Sequence, residues 1–158
     1  MSEAELRGEL QAEAQSGQPE LVATFFVRDA LCGVSASCVQ EVIRLGAVTL
    51  APHAPPEVAG IINLRGRIVT IVDAGVRLGY GRSHPGPDSR VFILEDHSEF
   101  VGLLVDSVGE VAEVESGAEE PLPANLGQAR ARYFTGVIRV GGRVIARLNS
   151  TQMLAVGA

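Results

Sequence analysis

Short apolar runs, separated by turns of glycine, proline and aspartate, divide most of this chain and limit what it can fold into. About ten such runs follow one another from Leu21 onward, at roughly even spacing. They are rich in valine, isoleucine and leucine, and β-branched residues favour strands. No interval between the runs is long enough for the crossover helix that a parallel sheet requires. The sequence therefore predicts an all-β fold, built as a sandwich or as barrels.

The predicted strands are, in chain order, LVATFFVRD, LCGVSA, Val48–Leu50, Ile61–Asn63, Arg67–Asp73, RVFILED, EFVGLLVDSV, GEVAEVE, YFTGVIRV and RVIARLN. A change of period in SASCVQEVIRL predicts a helix of about two turns, because Val39, Val42 and Ile43 have i, i+3, i+4 spacing and Ser35 or Ser37 is available as the cap.

Three further short helices are expected. EVAG, after Pro55 and Pro56, is suited to one helical turn. AGVRLGYG predicts a short helix or turn, and STQMLAVGA predicts a closing helix capped by Ser150 or Thr151. Residues 81–89 are expected to form an exposed loop, and the tract SGAEEPLPANLGQARAR is expected to be irregular.

Length and charge narrow the class of protein. A chain of 158 residues fits one domain, or two small barrels that share a core, and residues 1–20 are expected to be a flexible tail, leaving residues 21–158 as the folded domain. The net charge is −6 and no basic block occurs, so no nucleic-acid binding is expected. No stretch approaches the ~20 apolar residues that span a bilayer, and the first residues lack a signal-length apolar run. We therefore expect a cytoplasmic protein without membrane insertion.

A search for reactive groups predicts no catalytic and no metal site. His53, His84 and His97 lie in loops or beside prolines, and none has metal-ligand spacing to another candidate ligand. Cys32 lies in an apolar run and is expected to be a buried free thiol, although one disulfide with Cys38 is conceivable. No phosphate-binding glycine loop and no nucleophile motif occurs, so we expect no cofactor and no enzymatic activity.

The segment GIINLRGRIVTIVD raises the question of what its first arginine is for. One interpretation is a hairpin in which Gly66 supplies a positive φ and Arg65 points into water. The alternative is recognition: if a carboxylate such as Glu41 or Asp73 orients Arg65, its guanidinium becomes a rigid fork for carbonyl or carboxylate groups.

Four segments in this order resemble the CheW family of chemotaxis coupling proteins: FFVRDALCGVSASCVQEVI, APPEVAGIINLRGRIVTIVDAGVRLG, EFVGLLVDSV and YFTGVIRVGGRVIARLNSTQML. The resemblance spans about residues 21–156. It implies two packed five-stranded SH3-like barrels and a non-enzymatic adaptor that couples transmembrane chemoreceptors to the CheA-type histidine kinase, at receptor arrays on the inner face of the membrane. The implied partners are the chemoreceptor signalling tip and the regulatory domain of the kinase.

The resemblance also implies two sets of site residues. The receptor tip is expected in a groove between the barrels, beside a helix that holds VQE, the NLRG turn and a valine of the facing barrel. The implied receptor-binding residues are Val39, Glu41, Asn63, Leu64, Arg65, Gly66 and Val105. The kinase is expected on the outer side of the first barrel, and the implied residues are Arg44, Leu45, Val48 and Leu50.

The chain departs from the family pattern at two places. Asp73-Ala74-Gly75 stands where VDLR is usual, and Asn149 stands where aspartate precedes the last helix. These departures leave open a divergent coupling protein of a non-chemotactic pathway, or one that has lost kinase binding. A hypothesis from another class, a ligand-binding or enzymatic barrel that uses Asp73, Asp106 and Arg65, requires a pocket that gathers those three groups.

Overall fold

The computed structural model describes residues 19–46, 48–49 and 53–156, and these residues form two β-sheets with a few short helices. The all-β prediction is therefore confirmed. Residues 1–18 of the expected tail and the candidate Leu50 lie outside the described residues. The first strand begins at Glu20.

One sheet contains the strands nearest the two ends of the chain, and we refer to it as the terminal barrel. Its strands, in sheet order, are β8 (Ser107–Val114), β1 (Glu20–Val27), β2 (Ala30–Ser35), β11 (Arg143–Leu148), β10 (Phe134–Val140) and β9 (Glu119–Glu120). The chain leaves β8 at one edge and re-enters as β9 at the other edge, where Glu120 pairs with Val137. This connection brings the two edges of the sheet together.

The second sheet, the central barrel, is built from the strands between these. Its strands, in sheet order, are β3 (Val39–Arg44), β6 (Arg90–Asp96), β7 (Glu99–Val105), β5 (Arg67–Asp73) and β4 (Val58–Leu64). Just beyond β3, Thr49 pairs with Ile61 of the opposite edge strand β4, through backbone hydrogen bonds of 3.0 and 2.9 Å. The implied pair of five-stranded barrels is thus confirmed, with the two-residue β9 as an addition.

Strand alternation gives each barrel its own interior and leaves a third core between the barrels. Along β6, Val91 and Ile93 face the interior of the central barrel, whereas Phe92 and Leu94 face the terminal barrel. The rings of Phe92 and Phe25 of β1 meet across this boundary at a centroid distance of 5.0 Å. Because β6 is buried on both faces, it reads in sequence as a continuous apolar run.

The helix predicted over VQEV is wrong. A 3₁₀ turn (Ala36–Cys38) precedes β3, and residues 39–44 pair with β6 as an extended strand. Exposure alternates along β3, so Val42 and Arg44 face solvent while Glu41 and Ile43 are partly covered. A short run of β-branched residues fits both periods, and pairing with a buried strand decides in favour of the strand.

Smaller predictions about helices also need correction. EVAG is not helical, because Val58 already begins β4, and the predicted strand at Val48–Leu50 is reduced in the described residues to the bridge at Thr49. The tract expected to be irregular contains β9, a 3₁₀ turn (Ala124–Leu126) and α2 (Gln128–Ala131). Helices α1 (Ala74–Arg77) and α3 (Ser150–Leu154) are confirmed. The cap of α3 is Asn149, whose side chain accepts from the Gln152 amide at 3.2 Å, and not Ser150 or Thr151.

A polar clasp ties the two barrels together at the connection between β7 and β8. The guanidinium of Arg28, in the β1–β2 turn, donates to both carboxylate oxygens of Asp106 at 3.1 and 3.2 Å and to Ser83 Oγ at 3.2 Å. Ser83 in turn donates through its hydroxyl and its amide to Asp73, at 2.6 and 2.8 Å. Asp73 therefore both caps α1 and fastens the loop of residues 81–89.

The clasp explains why glycine occupies position 75, one of the departures from the family pattern. A Cβ there would lie 2.7 Å from Ser83 Oγ, 2.9 Å from the Gly81 carbonyl oxygen and 3.0 Å from Arg28 Nη2. Glycine has a low helix propensity, but it fits position 75 because the clasp occupies the space that a Cβ would need.

Gly75→Ala is therefore expected to lower the free energy of unfolding by about 1–3 kcal/mol, although alanine is the better helix former. The matched control is Gly86→Ala in the same loop, where a Cβ meets nothing within 4 Å and stability is expected to stay level or rise slightly. Urea unfolding of both variants measures the difference. A gain in stability at position 75 would contradict the close packing.

Candidate functional site

The NLRG turn is a two-residue hairpin loop in which both central residues are left-handed. Leu64 pairs with Arg67, and the residues between them, Arg65 and Gly66, have φ of 51° and 85°. This is the conformation of a type I′ turn, for which asparagine and glycine are the preferred residues. The side chain of Asn63 accepts from the Gly66 amide at 2.8 Å and closes the turn. The hairpin prediction is confirmed. Arg65 occupies a central position of the turn, where a residue other than glycine or asparagine is disfavoured because φ is positive.

Glu41 orients the Arg65 guanidinium in the way that the recognition hypothesis requires. Both Nη atoms of Arg65 face the carboxylate: Nη2 donates to Oε1, and Nη1 donates to Oε2 at 3.4 Å. The Arg65 side chain is 73% exposed and that of Glu41 is 29% exposed. The hydrogen bond and the negative charge of Glu41 raise the pKa of Arg65. Because an ion pair this exposed stabilises a fold very little, its value lies in fixing the direction of the fork.

The pair stands at the rim of a depression at one end of the central barrel, the Arg65 cleft, of about 380 Å³. The residues that line it are Gln40, Glu41, Leu64, Arg65, Arg67, Ile93 and Phe100. Ile93 is fully buried in the barrel interior, and Leu64 and Phe100 pack against the same interior cluster, so they form an apolar floor. The cleft thus combines an apolar floor with two guanidinium groups on its rim.

Several residues of the cleft were not predicted from the sequence. Arg67 lies over the ring of Phe100, 4.3 Å from its centroid, and Gln40 donates to Glu95 at 2.9 Å. Phe100 reaches the cleft because β5 and β7 run parallel, with Thr70 opposite Val101. No local pattern in the sequence reveals that pairing of β5 with β7. The spacing of Arg65 and Arg67 across a tight turn, however, could have indicated that Arg67 belongs to the same site.

Four of the implied receptor-binding residues do not line the cleft: Val39, Asn63, Gly66 and Val105. Asn63 and Gly66 belong to the turn that carries Arg65, whereas the two valines lie elsewhere. Val105 is 1% exposed, belongs to the core between the barrels, and lies in the same sheet as Arg65, so its expected place on a facing barrel is wrong. Val39 packs against the same core and is half-buried. The cleft itself is also not between the barrels, because every residue that lines it belongs to the central barrel.

The implied kinase-binding residues lie at the opposite end of the central barrel. Leu45 and Val48 line a second depression of about 390 Å³, the proline cavity, which Pro55, Pro56 and Pro85 also line. Arg44 is exposed nearby at the end of β3. The expectation that these residues lie on the barrel that begins the chain is wrong, since β3 and the segment after it belong to the central barrel.

The groups required by the enzymatic hypothesis are not gathered. Asp73 is buried at the end of the barrel away from Arg65, where its carboxylate accepts from Gly75 and Ser83, and Asp106 binds Arg28. Among the described residues no three His, Cys, Asp or Glu side chains are placed to hold a metal ion.

The histidines and cysteines behave as predicted. The three histidines are exposed. Both cysteines are free thiols, and burial raises the pKa of Cys32 to about 12.

Comparison with known proteins agrees with this architecture. The family described as CheW-like domain matches residues 21–157, nearly the whole described chain. The chain belongs to the CheW family. Its similarity to the chemotaxis protein CheW of Rhizobium meliloti (strain 1021) is 35% identity over 130 residues, covering 82% of this chain and 83% of that protein.

Further relatives agree with this assignment. The chain is 29% identical to protein FrzA of Myxococcus xanthus over 143 residues, covering 89% of each. The crystal structure of scaffolding protein TtCheW from Thermoanaerobacter tengcongensis superposes with a TM-score of 0.75 at 30% identity, covering 83% of this chain and 84% of that one. In the part of this CheW-family chain that the structure describes, no helix has the length and hydropathy needed to cross a membrane.

Proposed function

We propose that this protein is a non-catalytic adaptor of bacterial chemotaxis signalling that joins a chemoreceptor to a CheA-type histidine kinase at receptor arrays. One observation carries the proposal. The Arg65 cleft and the proline cavity lie at opposite ends of the central barrel, so two partners can bind at once without competing for space. Membership of the CheW family and the likeness to a scaffolding protein support it.

The chemistry of the Arg65 cleft suits the helical tip of a receptor. An apolar side chain from the tip would rest on Leu64 and Phe100, which pack with the fully buried Ile93 as one floor. The guanidinium groups of Arg65 and Arg67 stand beside that floor, and a fork held by Glu41 offers donors to carbonyl or carboxylate oxygens at the bend of the tip. Apolar burial supplies affinity in this arrangement, and the charged rim supplies specificity and register.

The proline cavity suits an apolar side chain of the kinase regulatory domain. Its walls are aliphatic and proline side chains, and prolines lose little conformational entropy when a partner binds. Two charged residues also line the cavity, Asp73 and Arg82. The Asp73 carboxylate is committed elsewhere, since it accepts hydrogen bonds from its own loop.

The test is a capture experiment with the receptor tip and the kinase regulatory domain, each added alone to the immobilised protein and then added together. We expect each to bind alone, and binding of one to leave the affinity for the other nearly unchanged. Capture of the tip without the kinase domain would identify a coupling protein that has lost the kinase surface. Mutual displacement would contradict two separate sites.

Charge placed in the proline cavity is expected to separate the two interactions. Val48→Asp puts a carboxylate against aliphatic and proline side chains, and we expect at least a tenfold loss of affinity for the kinase domain, since an unpaired charge must then be desolvated. Affinity for the receptor tip should stay within about twofold, because the cleft lies at the other end of the barrel. Titration calorimetry with each partner measures both values. Equal losses for both partners would show that the surfaces are not independent.

A further inference from the structure

Charge is distributed unevenly along this chain. All 19 acidic residues fall within residues 1–120, whereas the last 38 residues contain five arginines and no acidic residue. Two of these arginines are committed to ion pairs, Arg139 with Glu120 and Arg147 with Glu20. Arg130 and Arg132 instead lie over the rings of Tyr80 and Tyr133, at 5.0 and 4.9 Å from the centroids, and leave their guanidinium groups open to an anion.

An apolar depression, the side cleft, lies beside Arg130 where the two barrels meet. It has a volume of about 170 Å³ and admits a branched aliphatic side chain. Its walls are provided by Leu78 and Tyr80 of the central barrel, by Phe134, Val137 and Ala146 of the terminal barrel, and by the segment that begins at Leu122. Arg130 is the one charged residue among the described residues that line it.

The first 18 residues of the chain have the complementary chemistry. They contain four glutamates and one arginine, a net charge of −3. Leu6 and Leu10 are four residues apart, a spacing that places both on one face of a helix, with Glu5 and Glu9 directly adjacent to them in sequence. The Arg65 cleft matches this segment less well, because the carboxylate of Glu41 already pairs with one of its two arginines.

The start of the described chain brings this segment within reach of the side cleft. Glu20 forms an ion pair with Arg147, the neighbour in β11 of Ala146, which lines the cleft. The two side chains point to opposite faces of the sheet. The chain between Leu10 and Pro19 can extend over about 30 Å, which is about the diameter of a small domain, so it can pass to the other face of the sheet.

We propose that the N-terminal segment docks in cis on the side cleft, with Leu6 and Leu10 against its apolar walls and Glu5 and Glu9 facing Arg130. The segment then covers an apolar surface that spans both barrels. Its covalent attachment to Pro19 raises its effective concentration at the cleft, so modest contacts suffice. This proposal is independent of the receptor and kinase proposals and is tested without either partner.

The experiment is paramagnetic relaxation enhancement on the full chain. A nitroxide is attached to a cysteine that replaces Ser2, in a Cys38→Ser background. Cys32 stays unlabelled because its thiol is buried and its pKa is raised to about 12. We expect the nitroxide to reduce the amide signals of Phe134, Val137 and Ala146, and the signals to return when Leu6 and Leu10 are both replaced by serine.

Arg130→Glu is expected to restore the same signals by reversing the charge beside the cleft. The matched control is Arg143→Glu, the same charge change at the start of β11 outside the side cleft, which should leave the enhancement in place. The proposal would be overturned if the nitroxide on the unaltered segment left the amide signals of Phe134, Val137 and Ala146 undiminished. An enhancement that survives both the leucine pair and Arg130→Glu would also overturn it. An enhancement seen when spin-labelled and isotope-labelled copies are mixed would assign the segment to a second copy and overturn docking in cis.

Discussion

Arg65→Glu is expected to weaken capture of the receptor tip by about 30-fold or more, while the thermal midpoint stays nearly unchanged. The substitution reverses the charge of the fork at the rim of the cleft and places two carboxylates side by side at Glu41. The exposed ion pair contributes little to the stability of the fold, so the substitution is expected to lower the affinity for the receptor tip and not the thermal midpoint. Surface plasmon resonance with the immobilised tip, together with a thermal unfolding curve, measures both effects.

Two further variants separate recognition from the turn itself. Arg65→Asn creates the Asn-Gly sequence that a type I′ turn prefers, so stability should hold or rise while tip binding is lost. The double change Glu41→Arg with Arg65→Glu restores an ion pair with reversed polarity, and we expect a stable protein that still fails to bind. If Arg65→Asn binds the tip as well as the unaltered protein, Arg65 has a role only in the turn and none in recognition.

Asp73→Ala is expected to produce the largest loss of stability, about 3–5 kcal/mol in the free energy of unfolding. The residue is 3% exposed, and its carboxylate accepts from the amides of Gly75 and Ser83 at 2.9 and 2.8 Å and from the Ser83 hydroxyl at 2.6 Å. Removing the acceptor leaves these donors buried without a partner and releases the loop from α1. Urea unfolding followed by circular dichroism measures the change.

The control for Asp73 is Asp88→Ala in the same loop, where the side chain is exposed and the effect should stay within about 0.5 kcal/mol. The comparison also bears on the enzymatic hypothesis. A reacting carboxylate is commonly dispensable for folding, so an Asp73→Ala protein of unchanged stability would contradict the structural role and reopen the search for chemistry at this position.

The sequence predicts most of the strands because glycine and proline turns delimit them and β-branched residues fill them. It fails where one pattern fits two structures: Val39, Val42 and Ile43 satisfy a helical period and a strand alike, and only pairing with β6 decides. Val105 was misplaced for a related reason, because β7 is apolar on both faces and its sequence does not say which barrel each face serves.

The candidate site was predictable only in part. The NLRG turn and its glycine are local features, and the sequence offered Glu41 and Asp73 as the carboxylates that could orient Arg65. The pairing itself joins residues 24 positions apart, and the contribution of Phe100 depends on a parallel register between β5 and β7. Such non-local geometry leaves no periodic mark in a single sequence.

The close packing inside the central barrel has a consequence for any complex built on it. Strand β4 runs from Val58 at the proline cavity to Leu64 at the Arg65 cleft, a length of about 20 Å at the usual rise per residue. The space between is filled by fully buried valine, isoleucine and leucine side chains, and a filled interior resists compression. Two molecules held at the two ends would keep a constant distance and orientation, so a tilt of one would be passed to the other rather than absorbed.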